Sequence, residues 1–193
     1  MIILIAVAFI ISVVIFAIVK PAACFALYAG AALYALYLPA GLLVKWKLSK
    51  GFPIAFLVYF LSLIAAGLLV LSIPQIGEEF FKIREAQARY YSLAYQCPIG
   101  KLITTLQAVF LAPLVEEVIF RGILFEETRR ALGTAPAYFV SSLAFALLHY
   151  PGLGALPIFI IALSLAFAYQ RYGLPASVMI HAFQNTVATL FFY

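Results

Sequence analysis

Long apolar runs alternate with short polar connections along this chain, and within the runs the apolar residues show no period-two alternation. Seven of them are read as helical spans: Ile2–Val19, Ala22–Val44, Phe52–Ile73, Leu102–Phe125, Pro136–Tyr150, Leu153–Tyr169 and Leu174–Tyr193. The yardstick is the roughly 20 residues that an α-helix needs to cross a hydrocarbon core. Missing alternation argues against a β-barrel. The pattern therefore predicts an all-α, polytopic transmembrane bundle forming one integral-membrane domain over residues 1–193. The first run lacks a basic leader and a small-residue cleavage site, and apolar sequence resumes directly after Lys20-Pro21. It reads as a retained span, not a signal peptide. Lys45-Trp46-Lys47 has the aromatic and basic character of a headgroup-level anchor. The one long polar connection, Pro74–Lys101, mixes Glu78, Glu79, Lys82, Arg84, Glu85 and Arg89 with Phe80, Phe81, Ile83, Tyr90 and Tyr91. That mixture predicts an amphipathic helix lying on the membrane surface.

Composition strengthens this picture. Hydrophobic residues make up 67% of the chain and charged residues 10%, against roughly 25% charged in a soluble domain. The net charge of +5 fits attraction to anionic lipid headgroups. Nucleic-acid binding is not expected, because the basic residues are scattered among membrane connections. They divide almost evenly, with Lys45, Lys47, Lys50, Arg129, Arg130 and Arg171 on one side and Lys20, Lys82, Arg84, Arg89 and Lys101 on the other. The positive-inside rule thus leans only slightly to a cytoplasmic N-terminus. Cys24 falls in a span and Cys97 in a loop, without metal-type spacing, so neither a disulfide framework nor a zinc knuckle is expected.

Chemistry enters with the few ionisable groups inside the apolar runs. Glu116, Glu117 and Arg121 lie in the fourth run, His149 ends the fifth, and His181 and Asn185 lie in the seventh. Charges at such depth cost a few kcal/mol each even on mild insertion scales, so they normally face a bundle interior and mark function. At about 1.5 Å per residue, Glu116 and Glu117 lie roughly 12–14 Å in from Phe125, and His181 and Asn185 about 11 and 17 Å in from Leu174. His149, counted from Pro136, comes out near ~20 Å. The rare polar residues of three antiparallel spans thus share one slab. Glu117 and Arg121 share a helical face, as do Phe145 and His149, and His181 and Asn185. Glu116 is rotated by about 100° from Glu117, so the two carboxylates can serve different partners.

Residue counts remove several hydrolytic chemistries. An aspartyl protease needs two aspartates, and the chain has none. No His-Glu-x-x-His exists for a zincin, and no Gly-x-Ser-Gly for a rhomboid-type serine site. Water activated by glutamate and histidine, with or without a metal, is what remains.

These residues resemble the motifs of the CAAX prenyl endopeptidase and bacteriocin-processing (CPBP, or Abi) family of intramembrane proteases, the Ras-converting-enzyme-like group. Glu-Glu-x-x-x-Arg corresponds to Glu116-Glu117-Val-Ile-Phe-Arg121, Phe-x-x-x-His to Phe145-Ala-Leu-Leu-His149, and His-x-x-x-Asn to His181-Ala-Phe-Gln-Asn185. The likeness covers about Leu106 to Leu190. It implies peptide-bond hydrolysis in a catalytic core at 102–193, with spans and a surface helix in 1–101. By resemblance, Glu116 and His149 activate water, His181 and Asn185 stabilise the oxyanion, and Glu117 with Arg121 orients the site or the substrate backbone. No cofactor is expected. The alternative is zinc on Glu116, His149 and His181, which would be a three-ligand site with one open position. The implied partners are the bilayer and a membrane-associated peptide, prenylprotein or lipoprotein.

Each group also has a structural reading. Glu117 and Arg121 can be an ion pair that fixes packing, His149 a helix terminus bonded to a carbonyl, and His181 with Asn185 polar glue between helices. A non-catalytic immunity or transporter-like membrane protein is the corresponding functional alternative. No internal repeat of the kind many carriers show is visible, since the intramembrane ionisable residues cluster in the C-terminal half.

Overall fold

A computed structural model describes residues 2–19 and 22–191. Lys20-Pro21 and the Tyr193 end of the last expected span lie outside these residues. All regular structure described is helical: α1 Ile3–Val19, α2 Ala23–Tyr37, α3 Pro53–Ser72 and α4 Pro74–Ala94, then α5 Gly100–Leu106, α6 Ala112–Glu117 and α7 Glu126–Leu132, and finally α8 Thr134–His149, α9 Ala155–Tyr172 and α10 Leu174–Leu190. A 3-10 turn, Leu38–Leu43, extends α2. The π-helical stretches Gln107–Leu111 and Val118–Phe125 join α5, α6 and α7 without a break. Local sequence sets many of the boundaries. Prolines open α3 and α4 in the first turn, where a missing N–H costs nothing. Gly173 ends α9 at φ 95°, a left-handed conformation open mainly to glycine. A Cβ there would stand 1.7 Å from the Lys47 carbonyl oxygen, so the turn also depends on close backbone approach.

The bundle is built for lipid outside and small residues inside. On α3, Ile54, Leu57, Leu61, Ile64, Leu68 and Leu71 are exposed at alternating three- and four-residue steps, while Ala55, Tyr59 and Ala66 are buried. On α9 the buried set includes Ala155, Ala162, Ser164, Ala166 and Ala168. Small residues let helix backbones approach closely where lipid removes the hydrophobic incentive to associate. Three helical segments, Cys24–Leu43, Pro53–Ser72 and Ala155–Tyr172, are by themselves long and apolar enough to cross a membrane, and Ile3–Val19 and Thr134–His149 are shorter apolar helices. The chain is a multi-pass integral membrane protein. The main buried cluster surrounds the helix of the glutamates, with Val115, Val118, Ile119, Phe120 and Ile123 packed on Phe9 of α1, Phe145 of α8 and Ala162 of α9.

Helix α4 passes the ends of several other helices in turn. Gly77 packs against Val70 near the end of α3. The Glu79 carboxylate accepts the Gly154 N–H in the α8–α9 connection at 2.9 Å, and the Tyr91 hydroxyl lies 3.4 Å from Thr189 Oγ1 near the end of α10. Ala94 then packs with Leu27 at the start of α2. The expected polar helix exists, over Pro74–Ala94.

One expectation requires correction, that on the cysteines; in the fourth run helical backbone simply continues past Phe125 to Leu132, where Gly133 at φ 94° ends it. Glu126 and Glu127 in its extension pair with Arg129 and Arg130, both at 2.6 Å. More consequentially, Cys24 and Cys97 form a disulfide, with Cα atoms 5.5 Å apart. Their separation of 73 residues carried no motif. Only the placement of the α4–α5 turn beside the start of α2 brings them together. Closing so long a loop typically stabilises by about 2–4 kcal/mol. Cys97→Ser, or reduction of the wild type, should therefore lower the melting temperature in detergent, and identical melting curves with and without reductant would contradict this.

Candidate active site

Three helices bring the predicted residues to one place. Glu116 and Glu117 end α6, between the two π-helical stretches. Such widened turns are frequent at functional sites. Pro113 lies in the turn just before them and has no N–H to give to the preceding turn. The Ala108 carbonyl there accepts Asn185 Nδ2 of α10 instead, at 2.8 Å. Asn185 thus closes a gap in the helix that carries the glutamates, and one N–H of its amide is committed to that carbonyl.

Glu117 and Arg121 are fully buried, and both belong to the frame behind the cavity, not to its lining. Arg121 Nε stands 3.3 Å from Glu117 Oε2, an ion-pair separation that lacks hydrogen-bond alignment. Arg121 Nη2 donates to the Ala162 carbonyl of α9 at 3.1 Å. Its guanidinium lies 4.5 Å from the centroid of the Phe145 ring of α8, within cation–π range. The other oxygen of Glu117 is 2.9 Å from His181 Nδ1 on α10. Since a carboxylate only accepts, Nδ1 carries the proton and donates. The pair therefore serves both as a structural tie and as an orienting partner for His181.

His149 is fixed in the same manner. Its Nδ1 is 2.8 Å from the Phe145 carbonyl oxygen, which makes Nδ1–H the donor. The Phe145 ring lies 4.4 Å from the His149 ring and 5.5 Å from that of His181. Each Nε2 is left to face Glu116, whose Oε2 is 3.9 Å from His149 and 3.8 Å from His181. These gaps exceed hydrogen-bond length and suit a bridging water. Glu116 Oε2 is buried and makes no hydrogen bond within the protein. Two imidazole lone pairs and a carboxylate oxygen thus converge without a donor among them.

Glu116, His149, His181 and Asn185 line a cavity of about 600 Å³. Its other walls include Tyr59, Phe60 and Leu63 of α3, Phe80, Ile83 and Arg84 of α4, and Phe183 and Val187 of α10. It is a largely apolar cavity with a polar corner. Among the described residues no group of three or more His, Cys, Asp or Glu side chains is arranged to hold a metal ion, and that includes the zinc alternative of Glu116, His149 and His181.

Sequence reading missed one residue of this cluster. Tyr34 of α2 donates its hydroxyl proton to Glu116 Oε1 at 2.5 Å. As one of 12 tyrosines in a chain rich in interfacial aromatics, it carried no signal of its own.

Residues 98–187 match the model of a family described as Rce1-like, the type II CAAX prenyl endopeptidase Rce1-like proteins. Over that segment the chain matches this family. The matched segment contains all six predicted site residues. No curated protein and no solved structure matches the chain.

Removing one partner of a fully buried pair costs about 3–5 kcal/mol, because the other charge is left uncompensated. Arg121→Met should lower thermal stability by that order, and the double variant Glu117→Leu/Arg121→Met should recover part of the loss. Equal melting temperatures for wild type and Arg121→Met would show that the pair carries no structural weight.

Proposed function

We propose that the chain is an intramembrane endopeptidase in which Glu116 activates water against a peptide bond of a membrane-anchored substrate. The observation that carries this reading is the free Glu116 Oε2, facing two imidazole Nε2 atoms at 3.8 and 3.9 Å on the wall of the cavity. A water between them gives a proton to Glu116 while His149 Nε2 accepts its other hydrogen and aligns it. The water oxygen bonds to the scissile carbonyl carbon. The resulting oxyanion is met by the remaining N–H of Asn185, beside His181. Glu116 then returns its proton to the amine nitrogen as the C–N bond breaks.

In this reading seven spans cross the membrane, α4 lies at the headgroup level, residues 102–193 form the catalytic core, and the whole sits in the cell membrane. The substrate is a prenylated CAAX-type protein or another lipid-anchored peptide. The apolar walls contributed by α3, α4 and α10 support such a choice, since an acyl or prenyl tail needs that kind of surface.

The test is cleavage of a fluorogenic farnesylated CAAX peptide and of an unprenylated peptide library by nanodisc-embedded protein, with and without chelator. Glu116→Gln should lower turnover by at least about 100-fold, as expected for loss of a general base, and leave the fold intact. Chelator should leave the wild type unchanged. Loss on chelation, restored by zinc, would move the mechanism to a metal. Failure of the wild type to cleave any peptide would favour the immunity or transporter reading.

A further inference from the structure

The segment matched to the family begins at residue 98, yet Glu116 is held by a group far outside it. We infer that Tyr34 is a positioning residue that selects which oxygen of Glu116 meets the substrate, so that α1 and α2 belong to the working site as well as to the membrane anchor. The inference rests on the protease reading of Glu116.

The geometry assigns the two carboxylate oxygens different tasks. Oε1 is taken by the Tyr34 hydroxyl at 2.5 Å. Oε2 has no hydrogen bond and faces His149 and His181. A glutamate side chain ends in a broad, roughly two-fold torsion, so an untethered carboxylate samples many orientations in a roomy cavity. One short hydrogen bond from a fixed donor removes that freedom and keeps one oxygen in the polar corner. It also satisfies half of a buried carboxylate without spending either histidine, which remain free for water and the oxyanion.

Tyr34 is itself held in place. Phe9 of α1 meets its ring edge-on at 5.6 Å and that of Tyr37, one turn later, at 5.0 Å. Phe9 also packs on Phe120, in the helix of the glutamates, at 6.4 Å. Ser12 of α1 lies 3.2 Å from the Tyr37 hydroxyl. The Cys24–Cys97 disulfide joins the start of α2 to the connection leading into α5. The helix that donates the hydrogen bond is therefore tied to the helix that accepts it through a ring cluster and a covalent link. Tyr37 supplies an internal control, because it shares the helix and Phe9 but bonds Ser12 instead of Glu116.

The experiment compares wild type, Tyr34→Phe and Tyr37→Phe in nanodiscs by two readouts. The first is turnover of whichever peptide the wild type cleaves. Tyr34→Phe should lower kcat by about 10- to 100-fold, the range for losing a hydrogen bond to a charged group, with KM unchanged, when assayed well below the melting temperature of either protein. Tyr37→Phe should keep kcat within about twofold, since it leaves that bond intact. The second readout is the carboxyl stretch of Glu116 in pH-difference infrared spectra, assigned through Glu116→Gln. Tyr34→Phe should move that band and Tyr37→Phe should not. An unmoved band overturns the inference whatever happens to turnover. So does unchanged kcat. If the wild type cleaves nothing, the protease reading falls, and with it the role in catalysis; the infrared band then decides whether Tyr34 fixes the carboxylate at all.

Discussion

A fully buried guanidinium ties this molecule together. Arg121 reaches Glu117 on its own helix, a carbonyl on α9 and the face of Phe145 on α8, and Glu117 in turn holds His181 on α10. Four helices therefore meet at one ion pair in a region where water cannot compensate a mistake. A membrane bundle has little hydrophobic incentive to choose one packing over another, because lipid is as apolar as the helix faces. Buried polar groups supply the selection, since any register that separates them leaves a charge unpaired. The same contact that fixes the packing orients one of the imidazoles facing the cavity.

The polar corner is then arranged in two layers. Glu117, Arg121 and the Phe145 carbonyl lie behind, each engaged with protein groups, and they set which nitrogen of each histidine carries a proton. Glu116, His149 and His181 lie in front, with lone pairs turned to the cavity. This division resolves the two glutamates that adjacency in sequence leaves ambiguous. Both are buried, yet only Glu116 has an oxygen without a hydrogen-bond partner at the cavity wall. A rotation of about 100° between neighbouring residues of a helix is enough to turn one carboxylate to the ion pair and the other to the cavity.

The helix that carries both glutamates is irregular for a reason visible in its residues. Pro113 interrupts the hydrogen-bond ladder, and the backbone widens on either side of α6. The carbonyl of Ala108 is recovered by Asn185. Two residues read from sequence for their chemistry, Asn185 and Arg121, make structural contacts between helices.

Residue identities and local spacing determined a good deal. Apolar run lengths set the all-helical, multi-pass class, because an unsatisfied backbone is too costly in lipid for much else. Four-residue spacings placed Glu117 with Arg121 and Phe145 with His149 on common faces, since neighbours on a helix are fixed by its pitch. Convergence of the fourth, fifth and seventh runs was legible from depth alone. The Cys24–Cys97 bond and the Tyr34–Glu116 hydrogen bond were not, because their partners are 73 and 82 residues apart. Nothing local in an apolar helix says which neighbour it will face. Hydrophobic periodicity specifies that a residue is turned inward, and only the packing of whole helices decides what it meets there.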